Sequence, residues 1–493
     1  MNTPGLMAGI LFIIAATIGI SSCKQSDYEN IPSAGREPLI EPDYSAVTIP
    51  KNIAPMNFMV LEDGNSFIIR VKSASSATLT IKSSDGIVRF PVKSWKNLLA
   101  ESAGGKIEIE IISENDDGKF QKYDPVCMNV SGSLVDPYLC YRLLYPGYES
   151  WVEMKIVQRS MEDFRESSLI ENQLLNYDCM NCHSFRQNQP DRFLIHVRGS
   201  RGGTYFADGK KITRRTLKTD NMAANAVYPS WHPSGKYVAL SSNKTIQSFH
   251  MHPSKNIEVS DMFSSLIIYE VEKNWIYACP VDDTIKYMET YPCWSPEGDY
   301  LYYCRTVQVE EGYNFREVKY DLVRRSFNPV SGLFGQAEVV FNAHGEDKSV
   351  SFPSVSPDGQ FLVFTLHDYG TFSIWHKEAD LCLINLKNMK VEQLEINSDE
   401  AESYHSWSSN GRWLVFSSKR GDGLTARPYF AYFVSGDSVG KPFVLPQKDP
   451  SLYGRMEKTF NRPELVSGKI DLGPNDFIKA SRDEPVKAIW MEK

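Results

Sequence analysis

The chain has 493 residues, 42% of them hydrophobic and 12% aromatic, which is enough apolar material for two or three packed bodies. Its formal net charge is −8 with no block of Lys and Arg, and that balance argues against a nucleic-acid partner. Beyond the N-terminal stretch, no apolar run approaches the ~20 residues that a helix needs to cross a bilayer.

Residues 1–22 read as an export signal. The apolar run Leu6 to Ile20 is short and is followed at once by polar sequence. It ends in Ile20-Ser21-Ser22-Cys23, which resembles a bacterial lipobox. The resemblance implies cleavage before Cys23, a lipid on its thiol, and a protein anchored by that lipid in the cell envelope, at the outer membrane. A plain secretory signal with an incidental cysteine is the competing reading. Residues 23–43 then read as a flexible tether, because Asp27, Glu29, Pro32, Gly35, Pro38 and Pro42 leave little to bury.

Residues 44–135 carry short β-branched or aromatic runs separated by Gly, Ser and Asp. Examples are Phe67 to Val71, Ala77 to Ile81 and Ile87 to Phe90. Ile107-Glu108-Ile109-Glu110-Ile111 alternates strictly, as a half-buried strand does. Ser94 to Ala100 reads as a short helix ending before Gly104-Gly105. A small β-sandwich-like domain follows from this pattern, with no chemistry-bearing cluster; it reads as a spacer or adhesion module.

Residues 136–493 form the second body. Tyr138 to Arg142 and Val152 to Val157 read as strands, and Ser160 to about Leu175 as helical. Next comes Cys179-Met180-Asn181-Cys182-His183, the attachment pattern of c-type haem. Two thiols at this spacing add to the haem vinyl groups, and the adjacent imidazole then faces the iron. A disulfide, a redox dithiol or half of a metal site can use the same residues. If haem c is the cofactor, Cys179 and Cys182 hold it and His183 is the proximal ligand. Met222 is then favoured as the distal ligand, with His196, His250 and His252 as alternatives.

Four related units follow. They are Tyr228-Pro229-Ser230-Trp231-His232-Pro233-Ser234-Gly235, Tyr291-Pro292-Cys293-Trp294-Ser295-Pro296-Glu297-Gly298, Phe352-Pro353-Ser354-Val355-Ser356-Pro357-Asp358-Gly359 and Tyr404-His405-Ser406-Trp407-Ser408-Ser409-Asn410-Gly411. Each precedes an apolar strand, so each is a hairpin. The intervals exceed the ~40–50 residues of an ordinary propeller blade, which implies inserted loops. The units resemble the blade-opening signature of TolB-like β-propellers. Cys182-His183 falls where Trp231-His232 stands, which places the haem pattern in the first hairpin of a further blade. A last blade is expected from Tyr138 to Arg142 or Val152 to Val157 pairing with the segment near Phe460 to Leu465. The expected fold is all-β, an N-terminal sandwich-like domain followed by a propeller of six blades, with seven as the alternative.

The run from Asp136 to about Pro463 also resembles a family of Gram-negative TolB-like or WD-type propeller lipoproteins, some labelled cytochrome c. That resemblance implies an exported, haem-associated protein but no reaction. No hydrolase elbow, phosphate loop or zinc-protease helix occurs in the sequence. Arg198 with Gly199 to Gly203 reads as an anion grip or simply a hairpin turn. The acids Glu378, Asp380, Asp399, Glu400 and Glu402 read as solvated loop charge. Two functions follow: a lipid-anchored electron carrier or redox sensor with one haem, or a non-enzymatic propeller that binds protein or glycan, with Cys179 and Cys182 joined. In either, a protein partner at the propeller face is expected.

Overall fold

The computed structural model describes residues 31–73, 78–147, 153–249, 255, 257–280, 285–310, 312–435 and 438–492. The signal segment, Cys23, His250 and His252 lie outside these residues.

The alternating N-terminal pattern pairs into two sheets. The larger runs in the order Thr48–Pro50, Val126–Ser131, Lys106–Glu114, Ser66–Ser73, Thr78–Ser83, with Phe120–Lys122 added against Lys106–Glu114. The smaller is Ile40–Glu41, Phe58–Val60, Ile87–Val88. Ile107, Ile109 and Ile111 are wholly buried, as the alternation requires, while Glu110 on the opposite face pairs with Arg70 and Lys122. The helix Val92–Glu101 turns Trp95, Leu98 and Leu99 into the same core. Part of the stretch that reads as a tether is docked here. Ala34 N–H donates to the Lys122 carbonyl at 2.8 Å, Arg36 grips Glu62 at 2.6 and 2.7 Å, and Ile40 is buried. One buried isoleucine and one bidentate ion pair hold a segment whose composition alone looks unanchored.

Six sheets of antiparallel strands make the propeller, so the favoured count of six blades holds. Blade 1 is composite: Glu166–Glu171, Met154–Ser160 and Tyr138–Leu144 are completed by Thr459–Val466 from the far end of the chain. This pairing closes the ring and leaves no free inner edge. Blade 2 is Cys179–Phe185, Arg192–Arg198, Gly203–Asp208 and Lys211–Thr216. Blades 3 to 6 open on Ala226–Trp231, Tyr287–Trp294, Ser349–Val355 and Glu402–Trp407. The expected helix after Ser160 is instead the edge strand Glu166–Glu171 and a 3₁₀ turn, Asn172–Leu175. An open edge on Met154–Ser160 recruits the segment, and strand pairing overrides its helical composition.

The repeated signature locks blade to blade. Trp231 Nε1 donates to the Ser184 carbonyl of blade 2, and Trp407 Nε1 to the Ser354 carbonyl of blade 5, each at 3.2 Å. His232 Nε2 meets the Gly298 carbonyl of the next blade at 3.0 Å. A Cβ at Gly298 would collide with that imidazole, and its φ of +79° favours glycine as well. The C-terminal tail then crosses the rim. The helix Pro474–Arg482 packs Phe477 into the core between blades 1 and 2. Val486–Lys487 and Ile489–Trp490 add parallel fifth strands to blades 2 and 3.

Candidate functional site at the propeller axis

Each inner strand carries a bulge at the same place. The register breaks between Val227 and Ser230, Thr290 and Cys293, Ser351 and Ser354, and Ser403 and Ser406. It breaks likewise between Met180 and His183, and where Thr459–Val466 meets blade 1. Five bulge residues are left-handed without being glycine: Tyr228 (φ 52°), Tyr291 (51°), Phe352 (52°), Tyr404 (47°) and Arg462 (49°). That conformation costs each about 1 kcal/mol and turns the side chain out of the sheet toward the axis.

The five side chains meet there. Ring centroids lie 4.5 Å apart for Tyr228 and Tyr291, 4.1 Å for Tyr291 and Phe352, and 4.9 Å for Phe352 and Tyr404. Tyr228 also comes within 6.4 Å of Phe352 two blades away, and the Arg462 guanidinium lies 5.9 Å from the Phe352 ring. The axial channel is therefore plugged at its waist. Below the plug, where the inner strands end, opens a funnel of about 530 Å³ walled by Trp231, Trp294, Trp407 and a collar of prolines. Gln187 and Glu464 supply polar groups to it. Burial pushes the Glu464 carboxyl up to about 7, opposed by Arg462 and by the Phe185 N–H that it accepts at 3.0 Å. Above the plug is a smaller cavity of about 280 Å³ reached by Arg142, Arg198 and Arg462. The two cavities share Tyr228, Tyr404 and Arg462 as walls.

The haem-type motif sits in this frame as a strand. Its bulge aligns Asn181-Cys182 with Tyr228-Pro229, and His183 with Ser230, so the expected match to Trp231-His232 is out by two residues. Cys179 and Met180 are buried between blades 1 and 2. His183 is wholly buried, pairs with Ile195 and packs edge-on against Phe185 at 6.0 Å. Neither ring nitrogen makes a hydrogen bond of good geometry; the Arg462 backbone nearby favours the protonated ring only slightly. Burial, then the positive charges of Arg462 and Arg142, push its pKa down to about 3.

As the side chains stand, His183 is wholly buried and lines neither axial cavity, and the side chain of Cys182, the second thiol of the pattern, lies outside the described residues. The distal candidates lie elsewhere. His183 faces blade 1 with Ile195, whereas Met222 packs with Leu194 in the core between blades 2 and 3. His196, next to Ile195 in the strand, points to the same side as Leu194, away from His183. There its Nδ1 meets Thr204 Oγ1 at 3.1 Å, and burial pushes its pKa down to about 3. The sheet of blade 2 thus stands between His183 and both residues. No disulfide joins any of the described cysteines, and they form no cluster with His, Asp and Glu able to hold a metal ion among the described residues.

The glycine loop does grip an anion, and the anion is internal. Ser200 and Arg201 N–H groups donate to the Asp178 carboxylate at 3.0 and 2.5 Å, just ahead of Cys179. Gly199, at φ +131°, has no room for a Cβ against that carboxylate. Glu402 is not loop charge either: it is wholly buried and accepts from Ser398 and Ser418 hydroxyls at 2.7 Å and Arg420 at 3.0 Å. Sequence reasoning named Arg198 but missed its axial companions Arg142 and Arg462, and a polar cluster above blade 5. In that cluster Lys255 donates to Tyr369 Oη at 2.8 Å and Tyr369 to Glu258 at 2.9 Å. Both sets join residues far apart in the chain, and no local signal marks them.

No family model matches the sequence, and no curated protein matches it. Among solved structures the chain is similar to an oligogalacturonate lyase from Vibrio parahaemolyticus, at 11% identity over 76% of this chain and 100% of that one, with a TM-score of 0.34. It is similar to the Swd1 β-propeller domain of Myceliophteria thermophila, at 11% identity over 64% and 90%, with a TM-score of 0.35. A puromycin-hydrolysing peptidase of Mycobacterium tuberculosis gives 10% identity over 85% of this chain and 57% of that one, with a TM-score of 0.34.

Proposed function

We propose that the protein is a redox-silent binding scaffold, exported and held at the outer membrane by a lipid on Cys23, whose propeller funnel receives the end of a glycan chain. The observation that carries this reading is the plug. It turns an open axial channel into a cup of about 530 Å³, a volume suited to a small ligand rather than to a flat protein surface. Aromatic and proline faces suit the apolar faces of sugar rings, and Gln187 and Glu464 offer hydrogen bonds to hydroxyls. Cys179 and His183 then act as wall material between blades 1 and 2. The lipid anchor rests on the sequence around Cys23.

Titrating the mature protein with neutral and acidic oligosaccharides, read by tryptophan fluorescence, tests the funnel. At least one should give saturable quenching that Glu464→Gln and Gln187→Ala each weaken several-fold; failure of every sugar to bind sinks the glycan reading. The competing electron-transfer reading is tested by expression with the periplasmic haem-attachment machinery. Intact mass should show no haem increment, whereas an increment lost in a Cys179→Ala/Cys182→Ala variant would restore haem c with His183 as its ligand.

A further inference from the structure

We infer that the smaller axial cavity, above the plug, is a binding site for a small doubly charged oxyanion, and that the Cys-x-x-Cys strand forms one of its walls. The site is separate from the funnel on the other side. Three guanidinium groups reach it from three strands: Arg142 from Tyr138–Leu144, Arg198 from Arg192–Arg198, and Arg462 from Thr459–Val466. The other polar groups around it are largely amides, among them Asn181, Asn243 and Gln247, and no described residue lining it is acidic.

Two of the three cations are anchored without being neutralised. The bulge in Cys179–Phe185 frees two carbonyls from the ladder, and Arg142 Nη1 donates to both, Met180 at 3.0 Å and Asn181 at 3.1 Å. With its amide turned to satisfy its neighbours, Asn181 accepts from Arg198 Nε and Nη2 at 2.8 Å each. Neutral carbonyls fix these forks in place, so their charge stays available to a ligand. Two carboxyls nearby stand outside the cavity lining. Asp261 stands behind Asn243, which donates to both of its oxygens at 3.2 Å. Glu464 lines the funnel below. The local field is positive: Arg462 and Arg142 help to lower His183, and Arg198 helps to lower His196. Like charges gathered in a cavity of about 280 Å³ repel until an anion of matching size enters, and planar forks bind carboxylate or phosphate oxygens in pairs.

Calorimetric titration of the full mature chain with inorganic phosphate, sulfate and succinate, at low ionic strength, tests the site. The expected result is saturable binding of at least one probe, weakened at least tenfold by Arg198→Ala and unchanged by Lys211→Ala, an exposed cation on the outer strand of the same blade. The preferred probe tells phosphate- or sulfate-bearing ligands from dicarboxylates. Arg198 is exposed, so its loss should spare the fold, which circular dichroism checks; Asn181→Ala, which frees the Arg198 fork, serves as a second variant and should weaken binding too. Absence of binding by all three probes, or equal binding in wild type and Arg198→Ala, overturns the inference. Funnel variants such as Gln187→Ala, a neutral side chain that lines the funnel alone, leave this measurement unaffected if the two sites are separate, so it stands or falls apart from the glycan reading.

Discussion

His183 shows how a residue chosen for its chemistry can be kept from doing any. Its ring ionises near 3 in the fold against about 6.5 in an unfolded chain. The neutral form is thus favoured by folding, and the stability it contributes is whole above pH 6.5 and is lost as pH falls toward 3. At pH 5 the loss relative to pH 7.5 comes to about 2 kcal/mol from this one group. His196 and His405 push the same way, whereas Glu464, held up near 7, opposes them, because its protonated form is the favoured one and is lost as pH rises. A His183→Leu variant isolates the single contribution. In urea melts it should lose about 2 kcal/mol less than wild type between pH 7.5 and pH 5; an unchanged pH dependence would mean that the ring is reached by water. Asp178 makes the complementary case. Its carboxylate holds two backbone N–H groups in a glycine loop, so Asp178→Ala should cost about 3 kcal/mol at neutral pH, read from the same melts.

At the scale of the element, the inner strand is the informative unit, and the sequence shows half of it. The hairpin turns, the apolar second strands and the closure by Phe460 to Leu465 were legible because periodicity and turn chemistry are local properties. The bulge was not. Tyr228, Tyr291, Phe352 and Tyr404 repeat visibly, but nothing local says that their backbone is left-handed and their rings meet at one axis. Arg462 completes that ring without sharing its residue type, so pattern matching passes over it, and the Cys-x-x-Cys-His pattern lies two residues from the register that the repeats alone imply. The tail is the other element that composition hides, for its strands are only two residues long. Val486–Lys487 and Ile489–Trp490 cover the outer edges of blades 2 and 3. A chain ending at Asp483 should keep its blades yet expose two unpaired edges, which invite pairing with a second molecule. Light scattering should then show concentration-dependent association that the full chain lacks.

For the whole molecule the decisive feature is a core that ignores the boundary between the sandwich and the propeller. One cluster joins Trp95, Ile49 and Val130 to Trp413, Phe430, Phe443 and Leu465. Hydrogen bonds cross the same junction: Asn57 Nδ2 donates to the carbonyls of Gln447 and Lys448 at 3.1 Å. Ala54 N–H donates to Met161 at 2.7 Å, and Asn410 Nδ2 to Leu134 at 2.7 Å. These ties fall on blades 1 and 6 and their connections, where the ring is closed by Thr459–Val466, so the sandwich buttresses the seam of the propeller. Unfolding either body exposes apolar surface on the other, and at about 25 cal/mol per Å² a shared face of this kind couples them strongly. Calorimetric melting should therefore give one transition, with its calorimetric and van't Hoff enthalpies in agreement. Trp413→Ala, which opens a cavity in the shared core, should lower that transition as a whole, at a cost of about 4 kcal/mol. Two separated transitions, with only one moved by the substitution, would show that the sandwich folds independently and leaves the seam to the strand pairing alone.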